Sequence, residues 1–192
     1  MIDSGYAQVG KSIGLPTHCY LCASDAKVID AQSGMESGMT ALIGALAGIN
    51  MISGAGMLDF LACQSPEKLT IDAEAIGMVK RLLEGIQVRT ETLATGLFEG
   101  IHFKADFLKQ RITRELFAVE QYLPSAIIDR DSLRGWQQSG SLDAFDRAKL
   151  RVHDLVSKYR RPESAFAHEQ ELVSFVTSLA HEAGMEKLPE LM

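Results

Sequence analysis

The residues that could do chemistry crowd into the first third of this 192-residue chain. Cys19 and Cys22 form a Cys-x-x-Cys pair with His18 beside it, a spacing used for redox work or metal ligation. Asp25, Lys27, Asp30, Gln32 and Glu36 follow, and Gly54, Gly56, Asp59 and Phe60 make a second, smaller set. The thiols are the weaker candidate. Residues three apart in a strand point to opposite faces, so these two could not share a metal, and the only other cysteine is Cys63. They read better as small buried hydrophobes. The carboxylates draw notice because charge is scarce around them. Residues 1–66 hold seven charged side chains (Asp3, Lys11, Asp25, Lys27, Asp30, Glu36 and Asp59), and the remaining 126 residues hold thirty-seven. The first third is therefore interior material, and its few charges need places.

The elements that must position them are legible from punctuation and periodicity. Residues 3–13 read as a helix stopped by Gly14 and Pro16. Thr17–Ala23 is short, apolar and flanked by breakers, which fits a buried strand. Asp30–Ile49 is the clearest helix. Met35, Met39, Leu42, Leu46 and Ile49 recur at steps of three and four, and Gly34, Gly38, Ala41, Gly44, Ala45 and Gly48 add a stripe of small residues. Glycine costs about 1 kcal/mol in a helix, so the stripe implies close approach to a sheet or another helix. Asn50–Ala55 reads as a second buried strand. Ser65 is an N-cap followed by Pro66 and Glu67, and its helix carries Leu69, Ile71, Ala75, Ile76, Val79, Leu82 and Leu83 on an apolar side before Gly85. Alternating helix and strand implies an α/β fold with parallel strands and helical crossovers. Two strands cannot close a sheet, so their edges await another chain or solvent. Residues 89–192 carry only helical signals. Ser141 caps a helix with Leu142, Phe145, Leu150, Val152, Leu155 and Val156, broken by Pro162. Leu172, Phe175, Val176 and Leu179 mark a last helix ended by Gly184.

Composition excludes some functions. A net charge of -6 leaves no basic excess to displace phosphate counterions, so nucleic acid is not an expected partner. Thr40–Ile52, the longest apolar run, is too short and too interrupted to span a bilayer. No secretion signal opens the sequence, and three cysteines, an odd number, fit reduced thiols in the cytoplasm.

Residues 14–50 carry a more specific pattern. Gly14-Leu15-Pro16 is followed by a strand, then by Asp25, Lys27, Asp30, Gln32, Gly34 and Glu36 opening a small-residue helix. This resembles the trimethylamine methyltransferase family, which includes enzymes for glycine betaine and other quaternary amines. The likeness continues through Asn50, Gly54, Asp72, Ile76-Gly77-Met78 and Arg81-Leu82-Leu83, then weakens to His102-Phe103, Asp129-Arg130, Trp136 and Gly140. It implies a (β/α)8 barrel, which usually needs about 250 residues. This chain would hold the C-terminal fragment: about two βα units in residues 1–88, then a helical C-terminal extension in 89–192. Some members carry pyrrolysine, and the resemblance places that position near Lys27.

The family activity implied is methyl transfer from a methylated amine to the cobalt of a corrinoid (cobalamin) carried by a cognate partner protein, with no cofactor or metal bound directly. A quaternary ammonium leaves as a neutral tertiary amine, so no general acid is required. The protein must bind a permanent cation, hold it in line and exclude water. Carboxylates and aromatic faces do this, and in a barrel they lie at C-terminal strand ends. The candidates for substrate binding are Tyr20, Asp25, Lys27, Asp30, Gln32, Glu36, Gly54, Asp59 and Phe60. Structural roles compete with several of them. Asp30 fits an N-cap better than a ligand, Lys27 could clamp a loop through Asp25 or Asp30, Glu36 could be a buried anchor, and Gly54 and Gly56 could simply turn the chain. His102 falls in the least regular region, and His153, His168 and His181 sit on charged helix faces. Two other functions stand beside the enzyme: a non-catalytic remnant that needs a missing N-terminal barrel half and self-associates without it, and a thiol or metal protein built on Cys19 and Cys22.

Overall fold

The computed structural model describes residues 1–89, 95–99, 106–163 and 168–188. Helix α1 (Ile2–Ser12) has Asp3 in its first turn and Lys11 in its last, the charge order its dipole favours, and Gly14 ends it at φ +74°. Strand β1 (His18–Cys19) pairs parallel with β2 (Met51–Ile52), with His18 opposite Met51 and Cys19 opposite Ile52. The expected strands are longer than these formal pairs, and the ladder justifies part of that length. Met51 N–H donates to Thr17 O, Ser53 N–H to Cys19 O, and Gly54 N–H to Leu21 O. Cys22 at φ +63° then turns the chain away, so the strand stops short of Ala23.

Helix α2 (Ala31–Leu46) makes the crossover between them. Asp30 caps it in a reciprocal capping box with Ser33. Its buried face is Ser33, Ser37, Ala41 and Gly44, which shares only Ala41 and Gly44 with the stripe read from the sequence, Ser33 and Ser37 standing one position round the helix from Gly34 and Gly38. A Cβ on Gly44 would stand 2.7 Å from Leu21 and 2.9 Å from Ile52, so glycine here lets the helix lie on the sheet. Gly34 and Gly38 have open space instead. The core beneath is small: Ala7, Leu21 and Ile49, flanked by Cys19, Ala47 and Ile52.

An antiparallel hairpin that the sequence did not suggest follows, β3 (Met57–Leu58) with β4 (Cys63–Gln64). Helix α3 (Pro66–Leu83) starts as expected, with the Ser65 side chain accepting from Lys68 N–H. Its buried face was not the expected one. Lys68, Asp72 and Glu74 are buried; of the expected apolar side Ile71, Ala75, Ile76 and Val79 are half-buried, while Leu69, Leu82 and Leu83 are exposed. An apolar periodicity marks the face that seeks a cover, and among the described residues these three leucines are only partly covered. The helix packs against α2 through its polar face.

Beyond α3 come α4 (Arg111–Glu120), α5 (Leu133–Gln138), α6 (Ala144–Lys158) and α7 (Glu169–Glu182). The C-terminal region is helical among its described residues. Asp143, not Ser141, caps α6 by accepting from Asp146 N–H at 2.8 Å, because Ser141 sits in a left-handed turn at φ +55°. Trp136 Nε1–H donates to Leu142 O at 2.9 Å, and Asp129 Oδ1 accepts from Asp131 N–H at 2.9 Å. His102-Phe103 lies outside the described residues. The chain divides into two compact units, residues 1–154 and 155–192. Among the described residues no helix is long and apolar enough to cross a membrane.

Candidate functional site

Both strands of the parallel pair exit at the same end of the sheet, and the loops they feed touch. Ser24 N–H donates to Met57 O, and Asp59 N–H donates to Ala26 O, both at 3.1 Å. The β1–α2 turn and the hairpin tip therefore form one surface. Lys27 is its central cation. Its ammonium donates to Asp25 O at 2.7 Å, pairs with Asp59 Oδ1 at 3.1 Å, and stands 4.2 Å from the centroid of the Phe60 ring. Of the nine residues expected to contact a substrate, Asp25, Lys27, Asp59 and Phe60 meet here.

Asp30, Gln32 and Glu36 hold the turn rather than line it. Asp30 is the cap. Glu36 accepts from Ser24 Oγ at 2.6 Å, from Asp25 N–H at 2.9 Å and from Gln32 Nε2 at 2.9 Å. The Ser24 hydroxyl above all, then the Gln32 amide and the Asp25 N–H, keeps its carboxyl below the usual glutamate range. Gly54 is a close-approach glycine, since a Cβ there would collide with Leu21 O. Gly56 turns the chain at φ +83° and donates its N–H to Asp72 Oδ2 at 2.8 Å.

Tyr20 belongs to another surface. Cys19, Leu21 and Ile52 face the helices, so alternation puts His18, Tyr20, Met51 and Ser53 on the opposite face. There His18 Nε2 lies 2.6 Å from Ser53 Oγ and stacks edge-on with Tyr20 at 5.0 Å. The cysteines part company. Cys19 Sγ donates to Asp3 Oδ1 at 2.9 Å, and burial, reinforced by Asp3, pushes its thiol up to about 11. Burial, then the Asp72 charge, pushes Cys22 up to about 12. Thiols held protonated are poor nucleophiles and poor ligands. Among the described residues no group of three or more His, Cys, Asp or Glu side chains is placed to hold a metal ion.

Sequence reasoning missed the support under the hairpin. Lys68 is 1% exposed, and its ammonium bonds Ser37 Oγ at 2.7 Å and Asp72 Oδ2 at 2.5 Å. The pair links α2, α3 and the Gly56 N–H in one buried network. Its i,i+4 spacing was visible, but such a pair is normally solvated, and nothing in the residue types announces burial. A second anchor lies farther along α3, where Glu74 accepts from Tyr122 OH at 2.8 Å and from Ser125 N–H at 3.2 Å. Gly77 makes room for the Tyr122 ring.

The chain is similar in sequence to proteins of known activity. Residues 1–184 match the family model described as trimethylamine methyltransferase. A trimethylamine methyltransferase of Methanosarcina mazei is 38% identical over 162 residues, which is 84% of this chain and 32% of the relative. One from Methanosarcina barkeri is 36% identical over 160 residues, 83% of this chain and 32% of its own length. A glycine betaine methyltransferase of Desulfitobacterium hafniense is 29% identical over 184 residues, 95% of this chain and 38% of the relative. The chain spans about a third of the length of the curated relatives it matches. With nearly its whole length matched, including both strand exits and the helices behind them, the chain belongs to the trimethylamine methyltransferase family.

Proposed function

We propose that this chain is the C-terminal part of a (β/α)8-barrel methyltransferase, with about two βα units in residues 1–88 and a helical extension after them. The barrel would take a methyl group from trimethylamine or a quaternary amine such as glycine betaine and pass it to a corrinoid carried by a cognate partner protein. One observation carries this reading: two parallel strands joined by a helical crossover deliver Asp25, Lys27, Asp59 and Phe60 to one end of the sheet. That is where a barrel places its site, and a carboxylate beside an aromatic face is what a methylated ammonium needs.

The partner's corrinoid supplies a Co(I) nucleophile. The residues of this chain bind and orient the cation. As the carbon–nitrogen bond breaks, nitrogen keeps the electron pair and leaves as a neutral tertiary amine, so a quaternary substrate needs no proton from the protein. The test supplies the chain with the upstream barrel segment of a relative and a corrinoid partner, and follows cobalt methylation by absorbance. Transfer from one methylated amine supports the reading, and no transfer from any of a panel of them rejects it.

A second reading concerns the chain by itself, as a non-catalytic remnant that needs a missing barrel half. The short parallel pair has open edges, and Met35, Met39 and Leu46 on α2 are each more than 60% exposed. These features support a chain that is inactive and self-associating until further strands cover it.

A further inference from the structure

We propose that Lys27 is the resident occupant of the cation site, and that it sets specificity by exchanging the Asp59–Phe60 site for the anionic end of a zwitterionic substrate. The proposal rests on the cation-binding reading above. A carboxylate and an aromatic face are the two groups that hold an ammonium ion by charge, and here they already hold one. The Lys27 ammonium lies 3.1 Å from Asp59 Oδ1 and 4.2 Å from the Phe60 centroid.

The backbone that carries Asp59 and Phe60 is constrained. Asp59, Phe60 and Leu61 are three consecutive non-glycine residues in the left-handed region, at φ 48°, 55° and 73°. Such conformations persist only where the surroundings over-determine them, and they gather at ligand clamps. The surroundings do so here. Asp59 N–H is tied to Ala26 O, Ala62 N–H to Asp59 O, and the turn opposite is tied through Ser24 N–H to Met57 O. The Lys27 side chain is 62% exposed and reaches the site on a flexible stem. The backbone of the clamp is tied down, its Asp59 and Phe60 side chains are open to solvent at 45% and 68% exposure, and the lysine can leave.

A quaternary ammonium has no N–H. It could use the Phe60 face and the Asp59 charge, but not Asp25 O, which Lys27 uses now at 2.7 Å. Displaced from the ring, Lys27 can stay near Asp25 O with its charge released. A ligand carrying a carboxylate a few bonds from its ammonium would satisfy that charge, and a simple tetraalkylammonium would not. Because Lys27 is tethered, it competes at an effective concentration of the millimolar order. A bare cation must beat that competition alone, whereas a zwitterion turns the displaced competitor into a partner.

The test uses the 192-residue chain assembled with the upstream barrel segment of a relative, and two probes at matched ionic strength, tetramethylammonium chloride and glycine betaine. The Phe60 ring resonances report binding by NMR. Wild type is expected to bind the betaine more tightly. In Lys27→Met the ratio of the two dissociation constants is expected to shift toward tetramethylammonium by roughly fivefold or more, as the competitor and the carboxylate partner vanish together. Lys27→Arg, which keeps the charge, is expected to retain the wild-type order. If both probes bind and the ratio is the same in wild type and Lys27→Met, the role of Lys27 is overturned while the cation site stands. If neither probe moves the Phe60 resonances in either protein, the cation site itself is wrong and the exchange falls with it.

Discussion

Glu36 shows how one side chain can hold a site without belonging to it. It gathers a hydroxyl, a backbone N–H and an amide from the turn that carries Asp25 and Lys27. Its folded pKa lies below the ordinary glutamate value of 4.5. The stability it contributes is therefore fully present above that value and is lost as pH falls through the lower folded value. Glu36→Gln is expected to flatten the acid limb of stability against pH, read by urea unfolding in steps below pH 4.5. An unchanged acid limb would show that the turn does not lean on this carboxylate. The thiols make a second residue-scale prediction. Exposed Cys63 is expected to react quickly with a thiol reagent at mildly alkaline pH, while Cys19 and Cys22 react slowly. Fast labelling of Cys19 or Cys22 would restore the thiol function. The site was half legible at this scale. The Asp30 cap and the Glu36 anchor followed from residue type and spacing. The partnership of Lys27 with Asp59 and Phe60 did not, because it depends on a left-handed run without a glycine to announce it.

Helices α1, α2, α3 and α7 formed where periodicity and caps placed them, the hairpin did not announce itself, and periodicity did not say which face would be buried. In α2 the face of Ser33, Ser37, Ala41 and Gly44 is buried, and the methionines face outward. In α3 the polar face is inside. Both follow from a pattern written for more contacts than the described residues supply. The glycines separate the two situations. Gly34 and Gly38 have nothing within 4 Å of a would-be Cβ, so Gly34→Ala or Gly38→Ala is expected to stabilise the isolated chain by up to about 1 kcal/mol. Gly54→Ala drives a Cβ into a backbone carbonyl and is expected to cost about 1–3 kcal/mol while loosening both strand exits. Denaturant midpoints measure all three, and a neutral Gly54→Ala would mean that the strands are not paired as described. Lys68→Met tests the buried network in the same assay. It leaves Asp72 charged and without its cation, and removing one member of a buried pair typically costs about 3–5 kcal/mol. A loss below about 1 kcal/mol, the scale of an exposed pair, would place Lys68 in water.

At the scale of the molecule the chain owns more apolar surface than it buries. In the first unit Ile2 and Val9 of α1, and Ile13 just after it, join Met35, Met39 and Leu46 of α2 in facing outward, beside a two-stranded sheet with unpaired edges. In residues 155–192, taken separately, α7 exposes Leu172, Val173, Phe175 and Val176, and Ala180 is its one buried residue among those described. A helix of this length is marginal in water without tertiary packing. These surfaces have two ways to leave solvent, pairing with another copy or pairing with the strands that a longer relative possesses. The first gives concentration-dependent association of the isolated chain and weak amide-exchange protection in α7. The second replaces that association with one defined complex when an upstream barrel segment from a relative is added. Sedimentation velocity over a concentration series, repeated with that segment, separates the outcomes. A monomer at every concentration that unfolds in one sharp transition and ignores the added segment would show that the exposed faces are simply tolerated. Association relieved by the segment would show that the small core of Ala7, Leu21 and Ile49 is one side of a larger one, and that the strand exits with Lys27, Asp59 and Phe60 are finished by the strands beside them.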